Sequence, residues 1–189
     1  FSYWIMDKIA AAAVSTLPFA AHSRAIGANG DVRLGVIGVG SAVKIGGKGK
    51  QDIRDFRKIP GVRIVALCDV DRGILDAEAA QFGKRNEKVD TYTDMRKMLE
   101  SKEIDAVTIT TPNHWHALAA IWACQAGKDV FVQKPASHNI FEGRKMVDAA
   151  RKYKRIVQCT SGSRSPTGFK EALDYIRAGN LGKMLYVHG

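Results

Sequence analysis

Short apolar runs alternate with longer amphipathic segments along most of this chain. Five runs rich in branched apolar residues predict β-strands, at residues 32–39, 62–70, 106–110, 130–133 and 156–159, and a short strand is predicted at residues 89–92. The segments between them predict helices, at about residues 51–57, 72–83, 95–99, 114–126 and 139–153. Strands that alternate with helices at this spacing form parallel sheets with right-handed crossovers. The pattern therefore predicts a doubly wound α/β fold, with helices on both faces of the sheet and ligands at the carboxyl ends of its strands.

The first predicted strand ends in a glycine cluster. Gly38 and Gly40 begin a G-x-G-x-x-G fingerprint of the kind that cradles phosphates, but Val43 stands in place of its third glycine. The fingerprint is restored if residues 41–46 are an insertion, because Gly49 then takes the third place. Alone this is a weak signal, so its interpretation depends on the residues at the other strand ends.

Asp69 stands at the end of the second predicted strand. In a dinucleotide-binding fold, a carboxylate at this place accepts hydrogen bonds from the ribose hydroxyls. It also repels a 2′-phosphate, which favours NAD over NADP. The alternative is an acid that caps the next turn. Arg72 follows closely and keeps NADP as an alternative cofactor.

Polar residues also gather after the fourth predicted strand. Thr111, Pro112, Asn113 and His116 lie where this strand would leave the sheet, and they could meet a cofactor there. His114 and His116 are close enough in sequence to suggest a metal, but no third ligand can be placed. The alternative is that both histidines face solvent from the start of a helix. We predict no metal site.

Gln133, Lys134 and Pro135 end the fifth predicted strand. A lysine at this place can donate to a substrate hydroxyl or steer its proton. A cis Lys134–Pro135 bond would aim the lysine inward. The alternative is a surface lysine before a turn proline.

Composition narrows the set of partners. The chain has 189 residues, of which 46% are hydrophobic and 25% charged, as in an ordinary globular chain. Its formal charge of +10 could attract anions, but the basic residues are scattered and lack interleaved aromatic residues, so we predict no nucleic-acid partner. No apolar run of about 18 residues exists, so we predict no membrane span. The three cysteines are far apart in sequence and are predicted to be small buried residues.

Residues 9–21 have about the length of the hydrophobic region of a signal peptide. We expect an exported, periplasmic protein. The alternative is a helical arm on a cytoplasmic protein.

Five segments of the chain together resemble one known family. They are VRLGVIGVG, VALCDVD, TPNHWHALAA, AGKDVFVQKP and EGRKMVDAARKY, in the order and near the spacing of the glucose–fructose oxidoreductase / inositol dehydrogenase (Gfo/Idh/MocA) family. The resemblance covers about residues 32–189. It implies a Rossmann domain that binds NAD or NADP, and a second domain that holds a sugar or cyclitol. The leader resembles the family's exported branch.

The resemblance also implies roles for the residues singled out above. Gly38, Gly40 and Gly49 would approach the pyrophosphate. Asp69 would approach the ribose. Lys134 would be the catalytic residue, in contact with nicotinamide and substrate. Residues from two strand ends would line the cofactor groove, namely Thr111, Pro112, Asn113, His116, Gln133 and Pro135.

Two departures from the family pattern bear on function. Gln133 stands where the family has a glutamate, which removes a negative charge next to Lys134. The insertion at residues 41–46 falls where the backbone would meet the pyrophosphate.

By this resemblance the chain divides into three parts. Residues 1–30 are a leader and linker, and residues 31–160 are the dinucleotide-binding domain. Residues 161–189 are a loop, a helix at about 169–178 and a strand at 183–188, which begin a substrate domain that is largely absent. We expect a nicotinamide-dependent oxidoreductase of sugars or cyclitols, forming a homo-oligomer when full length. Two alternatives stay open, an NAD-dependent glycosidase of the same family and an inactive or truncated binding module.

Overall fold

The structure is a computed structural model that describes residues 30–41, 47–160 and 167–186. The leader-like segment at 9–21 and most of the proposed insertion at 41–46 lie outside the described residues. The chain divides into two compact units. The larger is Thr16–Thr160, and the smaller combines Phe1–Ser15 with Ser161–Gly189.

A six-stranded parallel sheet forms the centre of the larger unit. Its strands lie in the order β3-β2-β1-β4-β5-β6. They are β1 (Val32–Ile37), β2 (Val62–Cys68), β3 (Asp90–Tyr92), β4 (Ala106–Ile109), β5 (Asp129–Val132) and β6 (Val157–Cys159). This order confirms the predicted doubly wound fold. The strand order reverses between β1 and β4. In open α/β sheets this switch point, at the carboxyl ends of the strands, is the crevice where ligands bind.

Five helices connect the strands within the described part of this unit. They are α1 (Lys48–Phe56), α2 (Arg72–Gly83), α3 (Met95–Leu99), α4 (Asn113–Gln125) and α5 (Ile140–Tyr153). Side-chain caps start α2, α3 and α5, because Asp71, Asp94 and Asn139 each accept a bond from an N–H of the first turn. Helix α1 begins earlier than the expected residue 51. It follows Gly47 directly, and no side-chain cap occupies its first N–H groups.

The core is divided between the two faces of the sheet. On one face, Ile53 of α1 and Phe82 of α2 lie in one cluster with Val36 of β1. On the other face, α3, α4 and α5 cover the sheet, and Met98 of α3 lies in one cluster with Ile37. Because successive residues of a strand point to opposite faces, β1 contributes to both clusters. The predicted arrangement with helices on both faces is confirmed.

Buried Arg33 ties β1 to β4 at the amino end of the sheet. Its guanidinium donates two hydrogen bonds to the Asp105 carboxylate, at 2.9 and 2.7 Å, and one to Glu103 at 2.7 Å. Burial raises the pKa of Asp105, but the bonds and charge of Arg33 outweigh it, and the pKa lies below its ordinary value. Asp105 directly precedes β4, so this ion pair lies at the opposite edge from the crevice.

The smaller unit contains the expected helix, α6 (Thr167–Arg177). The strand expected at 183–188 is not formed over residues 183–186, and residues 187 and 188 lie outside the described residues. A strand is held by hydrogen bonds to a neighbouring strand, and no described residue of this unit pairs with 183–186. No described helix in either unit is long and apolar enough to cross a membrane.

Candidate functional site

The register of the sheet brings the predicted site residues to one edge. Ile37, the last residue of β1, is aligned with Cys68 of β2 and with Ile109 of β4. Ile109 is aligned in turn with Val132 of β5. The residues that follow these four positions therefore leave the sheet side by side, at the crevice between β1 and β4.

Gly38 makes the sharp turn at the end of β1. Its φ is +86°, which favours glycine. A Cβ at this position would lie 2.8 Å from the backbone N of Thr111 and 2.9 Å from the carbonyl carbon of Thr110. Both the conformation and the space require glycine here, because the loops after β1 and β4 touch at this point.

Gly49 packs the first turn of α1 against the glycine turn. A Cβ on Gly49 would collide with the carbonyl oxygens of Gly38 and Val39, and would lie 2.7 Å from the Val39 carbonyl carbon. Close helix–strand packing is the task of the third glycine in a dinucleotide fingerprint. The position of Gly49 therefore agrees with the sequence alignment that set residues 41–46 aside.

Asp69 holds the glycine turn in place. Its Oδ2 accepts hydrogen bonds from the backbone N–H groups of Val39, at 2.8 Å, and Gly40, at 3.3 Å. Its Oδ1 accepts one from Asp71 N at 3.0 Å. A carboxylate can accept about four bonds, so this half-buried side chain keeps capacity for ribose hydroxyls.

Two threonines follow β4 and differ in their hydrogen bonding. The Thr110 hydroxyl lies against the carbonyl oxygens of Ile37 and Gly38. The Thr111 hydroxyl is buried and has no hydrogen-bond partner among the described residues. A buried polar atom without a partner is unfavourable unless a ligand supplies one. Pro112 and Asn113 follow at the exposed start of α4, where Pro112 provides no side-chain cap.

His116 lies inside the fold, although it was expected in the cofactor groove. Its side chain is 1% exposed. Nδ1 lies 2.6 Å from the Pro135 carbonyl oxygen and Nε2 lies 2.8 Å from that of Thr111. His116 therefore ties the loop after β4 to the loop after β5.

Lys134 lies exposed at the end of β5, and the bond to Pro135 is cis, as the sequence suggested. Its ammonium forms no ion pair with a residue that the structure describes. Gln133, by contrast, is 7% exposed and donates from Nε2 to Oδ2 of Asp52 at 2.7 Å. Its interior position favours a supporting role over direct contact with a cofactor.

Asp52 is a site-forming residue that sequence reasoning missed. Its partner Gln133 is 81 positions away, so no local pattern announces the contact. The available signal was an amide at position 133 where the family pattern has an acid, since an amide buried there needs an acceptor.

The three cysteines are free thiols. Burial raises the pKa of the Cys68 thiol to about 12 and that of the Cys124 thiol to about 11. Both are buried, as predicted, and Cys159 is half-buried. Among the described residues, no group of three His, Cys, Asp or Glu side chains could hold a metal ion.

The glycine turn, the uncapped start of α1 and the unpartnered Thr111 hydroxyl together suit a bound dinucleotide. Residues 32–161 match the Gfo/Idh/MocA family model, described as "Oxidoreductase family, NAD-binding Rossmann fold". The chain belongs to this family. The Gfo/Idh/MocA resemblance read from the sequence is thereby confirmed, and so is the Rossmann character of the sheet.

Curated relatives extend this Gfo/Idh/MocA assignment. A "Glycosyl hydrolase family 109 protein" from Shewanella sp. is 32% identical over 162 residues, which are 82% of this chain and 34% of the relative. An "Inositol 2-dehydrogenase" from Salmonella paratyphi B is 30% identical over 160 residues, 84% of this chain and 45% of the relative. The chain thus spans less than half the length of these relatives.

A solved structure shows the same fold. The crystal structure of myo-inositol 2-dehydrogenase from Lactobacillus plantarum matches with a TM-score of 0.72 and 28% identity. The match covers 82% of this chain and 44% of that one. Gfo/Idh/MocA membership therefore rests on agreement of sequence and of structure.

Proposed function

We propose that this chain is the cofactor-binding domain of a nicotinamide-dependent oxidoreductase that acts on a hydroxyl-bearing carbon of a sugar or cyclitol. One observation carries the proposal. The glycine turn, Asp69, Thr111 and Lys134 leave adjacent strands at the same edge of the sheet, around the β1–β4 crevice.

The glycine turn and α1 would hold the pyrophosphate. Gly38, Gly40 and Gly49 would let the backbone come close to it. The first N–H groups of α1, which no side chain caps, would donate to the phosphates at the positive end of the helix dipole. Asp69 would accept bonds from the ribose hydroxyls, and its charge disfavours the 2′-phosphate of NADP. We therefore propose NAD as the preferred cofactor, with NADP weaker.

The loops after β4 and β5 would form the nicotinamide end of the groove. NAD, when bound, supplies the hydride acceptor. Lys134 would contact the substrate hydroxyl and assist the movement of its proton. Thr111, Pro112, Asn113 and Pro135 would line the groove beside it. His116 and Gln133 would hold these loops from behind rather than touch the cofactor.

The substrate class is proposed from the relatives. One curated relative and one solved structure carry inositol dehydrogenase names, and the family model describes oxidoreductases. Relatives with glycosidase names share the same domain, and no observation on this chain favours glycosidase chemistry over hydride transfer.

Isothermal titration of NAD and NADP into the 189-residue chain tests the proposal. We expect NAD to bind with a Kd below about 1 mM, the upper range of ordinary substrate constants, and NADP to bind more weakly. Asp69→Asn should narrow the difference between the Kd values for NAD and NADP, because it removes the charge that repels the 2′-phosphate. Asp76→Asn is the control, since Asp76 is an exposed acid on α2. Absence of binding by both dinucleotides would overturn the proposal.

We further propose that residues 9–21 direct export and that the full-length protein is a homo-oligomer. Expression in a bacterium followed by fractionation and by mass measurement of the mature amino terminus tests the first. Sedimentation of the full-length protein tests the second.

A further inference from the structure

A buried carboxylate lies between the glycine-turn helix and the lysine segment. Asp52 of α1 is 4% exposed. Its Oδ2 accepts hydrogen bonds from Gln133 Nε2 at 2.7 Å and from Thr108 Oγ1 at 3.3 Å. Its Oδ1 pairs with Nζ of Lys48 at 3.0 Å. We call these four residues the Asp52 cluster.

The side chains around Asp52 donate hydrogen bonds or positive charge to its buried carboxylate. A charge this deeply buried is unfavourable unless its neighbours donate to it. Gln133 can donate because it is an amide, whereas an ionised glutamate can only accept. The family pattern has glutamate at position 133, so a carboxylate there would meet the carboxylate of Asp52. In this chain the amide belongs to Gln133 at the end of β5, and the acid belongs to Asp52 of α1.

The cluster joins the parts of the proposed site. Asp52 lies one turn into the helix that opens at Gly47 and packs through Gly49 on the glycine turn. Gln133 directly precedes Lys134. We propose that Asp52 is a positioning residue which, through Gln133, sets the Lys134 segment relative to the helix at the glycine turn. Asp52 and Gln133 act as a matched pair, and only the cofactor-binding consequence rests on the proposed function.

A reciprocal exchange tests the pair. Four chains are compared: wild type, Asp52→Asn, Gln133→Glu and the double variant. Gln133→Glu sets two carboxylates against each other, and they cannot both stay ionised at contact distance. In the double variant, amide and acid have exchanged places and the hydrogen bond can form again. The controls are Asp148→Asn and Gln125→Glu, alone and combined, which make the same charge changes at exposed positions.

The first measurement needs no nucleotide. The N–H of Gln133 donates to the Ile109 carbonyl at 2.9 Å, so its hydrogen exchange reports local opening at the end of β5. We expect Gln133→Glu to speed hydrogen exchange of the backbone N–H groups at positions 133 and 134 about tenfold, as expected for coupled contacting residues. The double variant should return to within about threefold of wild type.

The second measurement is the Kd for NAD, taken at a temperature where all four chains are folded. We expect Gln133→Glu to weaken NAD binding about tenfold and the double variant to recover it. Asp52→Asn should fall between, because amide and amide can still form one bond. The control variants should match wild type in both measurements.

The outcomes separate this inference from the proposed function. Unchanged local exchange in Gln133→Glu, or a double variant no better than Gln133→Glu, would overturn the inference. A lowered unfolding midpoint with unchanged local exchange and unchanged NAD affinity would also overturn it, because the pair would then be merely structural. Recovery of exchange in the double variant, in a chain that binds neither dinucleotide, would support the inference and overturn the proposed function.

Discussion

At the scale of single residues, the site depends on two glycines without a side chain and on one buried hydroxyl without a hydrogen-bond partner among the described residues. Gly38 and Gly49 lack the Cβ atoms that would separate β1 from α1 and from the loop after β4. Thr111 carries a buried hydroxyl that meets no described partner. The glycines permit close packing, whereas the unpaired Thr111 hydroxyl is unfavourable until a ligand supplies its partner.

Gly49→Ala should destabilise the chain and weaken NAD binding. The added methyl group meets backbone, which cannot move aside as a flexible side chain can, so we expect a loss of about 1–3 kcal/mol in the free energy of unfolding. Urea denaturation measures this. Gly83→Ala is the control, because a Cβ there meets nothing within 4 Å. A Gly49→Ala chain as stable as wild type would contradict the close packing described here.

Thr111→Val should affect stability and binding in opposite directions. Removal of an unpartnered buried hydroxyl should leave the free energy of unfolding unchanged or raise it by about 1 kcal/mol. Loss of a hydrogen bond to the cofactor should raise the Kd for NAD by roughly two- to tenfold. Thr91→Val, at an exposed position of β3, is the control for both measurements. A Thr111→Val chain that is less stable and binds NAD equally well would show that the hydroxyl serves the fold instead.

At the scale of elements, helix α4 connects the loops after β4 and β5 at the crevice. Its first turn follows Thr111 and Pro112, and His116 reaches from its second turn to the loop after β5. One side chain thus controls the spacing of two loops that no strand pairing holds together. The arrangement makes α4 part of the site even though most of its residues belong to the core.

His116→Phe should separate these two loops. The phenyl ring is somewhat larger than imidazole and cannot form hydrogen bonds with the carbonyls of Thr111 and Pro135, at a cost of about 1–3 kcal/mol per unsatisfied buried group. We expect a lower urea midpoint and weaker NAD binding. His114→Phe is the matched control, because His114 is exposed on the same helix. Equal midpoints for the two variants would contradict the bracing role of His116.

Most of the longer elements were predictable because strand and helix periods differ and these segments are long enough to show one. Helix α1 was expected to start at about residue 51, whereas it starts at Lys48 and Gly49 packs within its first turn. The burial of His116 was not predictable, because it depends on a loop that is distant in sequence. The Asp52–Gln133 contact was not predictable either, because the two residues are 81 positions apart in sequence.

At the scale of the whole molecule, the two ends of the parallel strands have different roles. The residues of the candidate site lie at the carboxyl ends, which we call the carboxyl edge, and the amino ends form the amino edge. The amino edge carries the ion pair between Arg33 and Asp105 and the bonds of buried Lys128 to the carbonyls of Ser101 and Ile104. Stability at the amino edge should therefore respond to pH without a matching change in cofactor binding.

Asp105→Asn should lower the free energy of unfolding at neutral pH by about 2 kcal/mol. This is less than the 3–5 kcal/mol found for a fully buried pair, because the Asp105 side chain is 34% exposed and Glu103 still contacts Arg33. The pKa of Asp105 is lowered by folding, so its contribution is complete above the unfolded pKa near 4 and is lost as pH falls through the folded value. The gap between wild type and variant should therefore shrink below about pH 4.

Urea midpoints of both chains between neutral and acidic pH measure this gap. Asp55→Asn is the control, because Asp55 pairs with Lys58 at an exposed position and such pairs contribute little. A gap that widens as pH falls would contradict the assignment of the Asp105 carboxylate as the stabilising group. NAD affinity of the folded Asp105→Asn chain should equal that of wild type.

The separation of the two edges has a consequence for how such a domain can evolve. Substitutions that retune cofactor preference would fall at the carboxyl ends of the strands. The ion pair between Arg33 and Asp105 lies at the amino ends, with the full length of each strand between. Selection can therefore explore new dinucleotides or new substrates without eroding the anchor that keeps the sheet assembled. A designer can use the same division, holding Arg33 and Asp105 constant while randomising the loops after β2, β4 and β5.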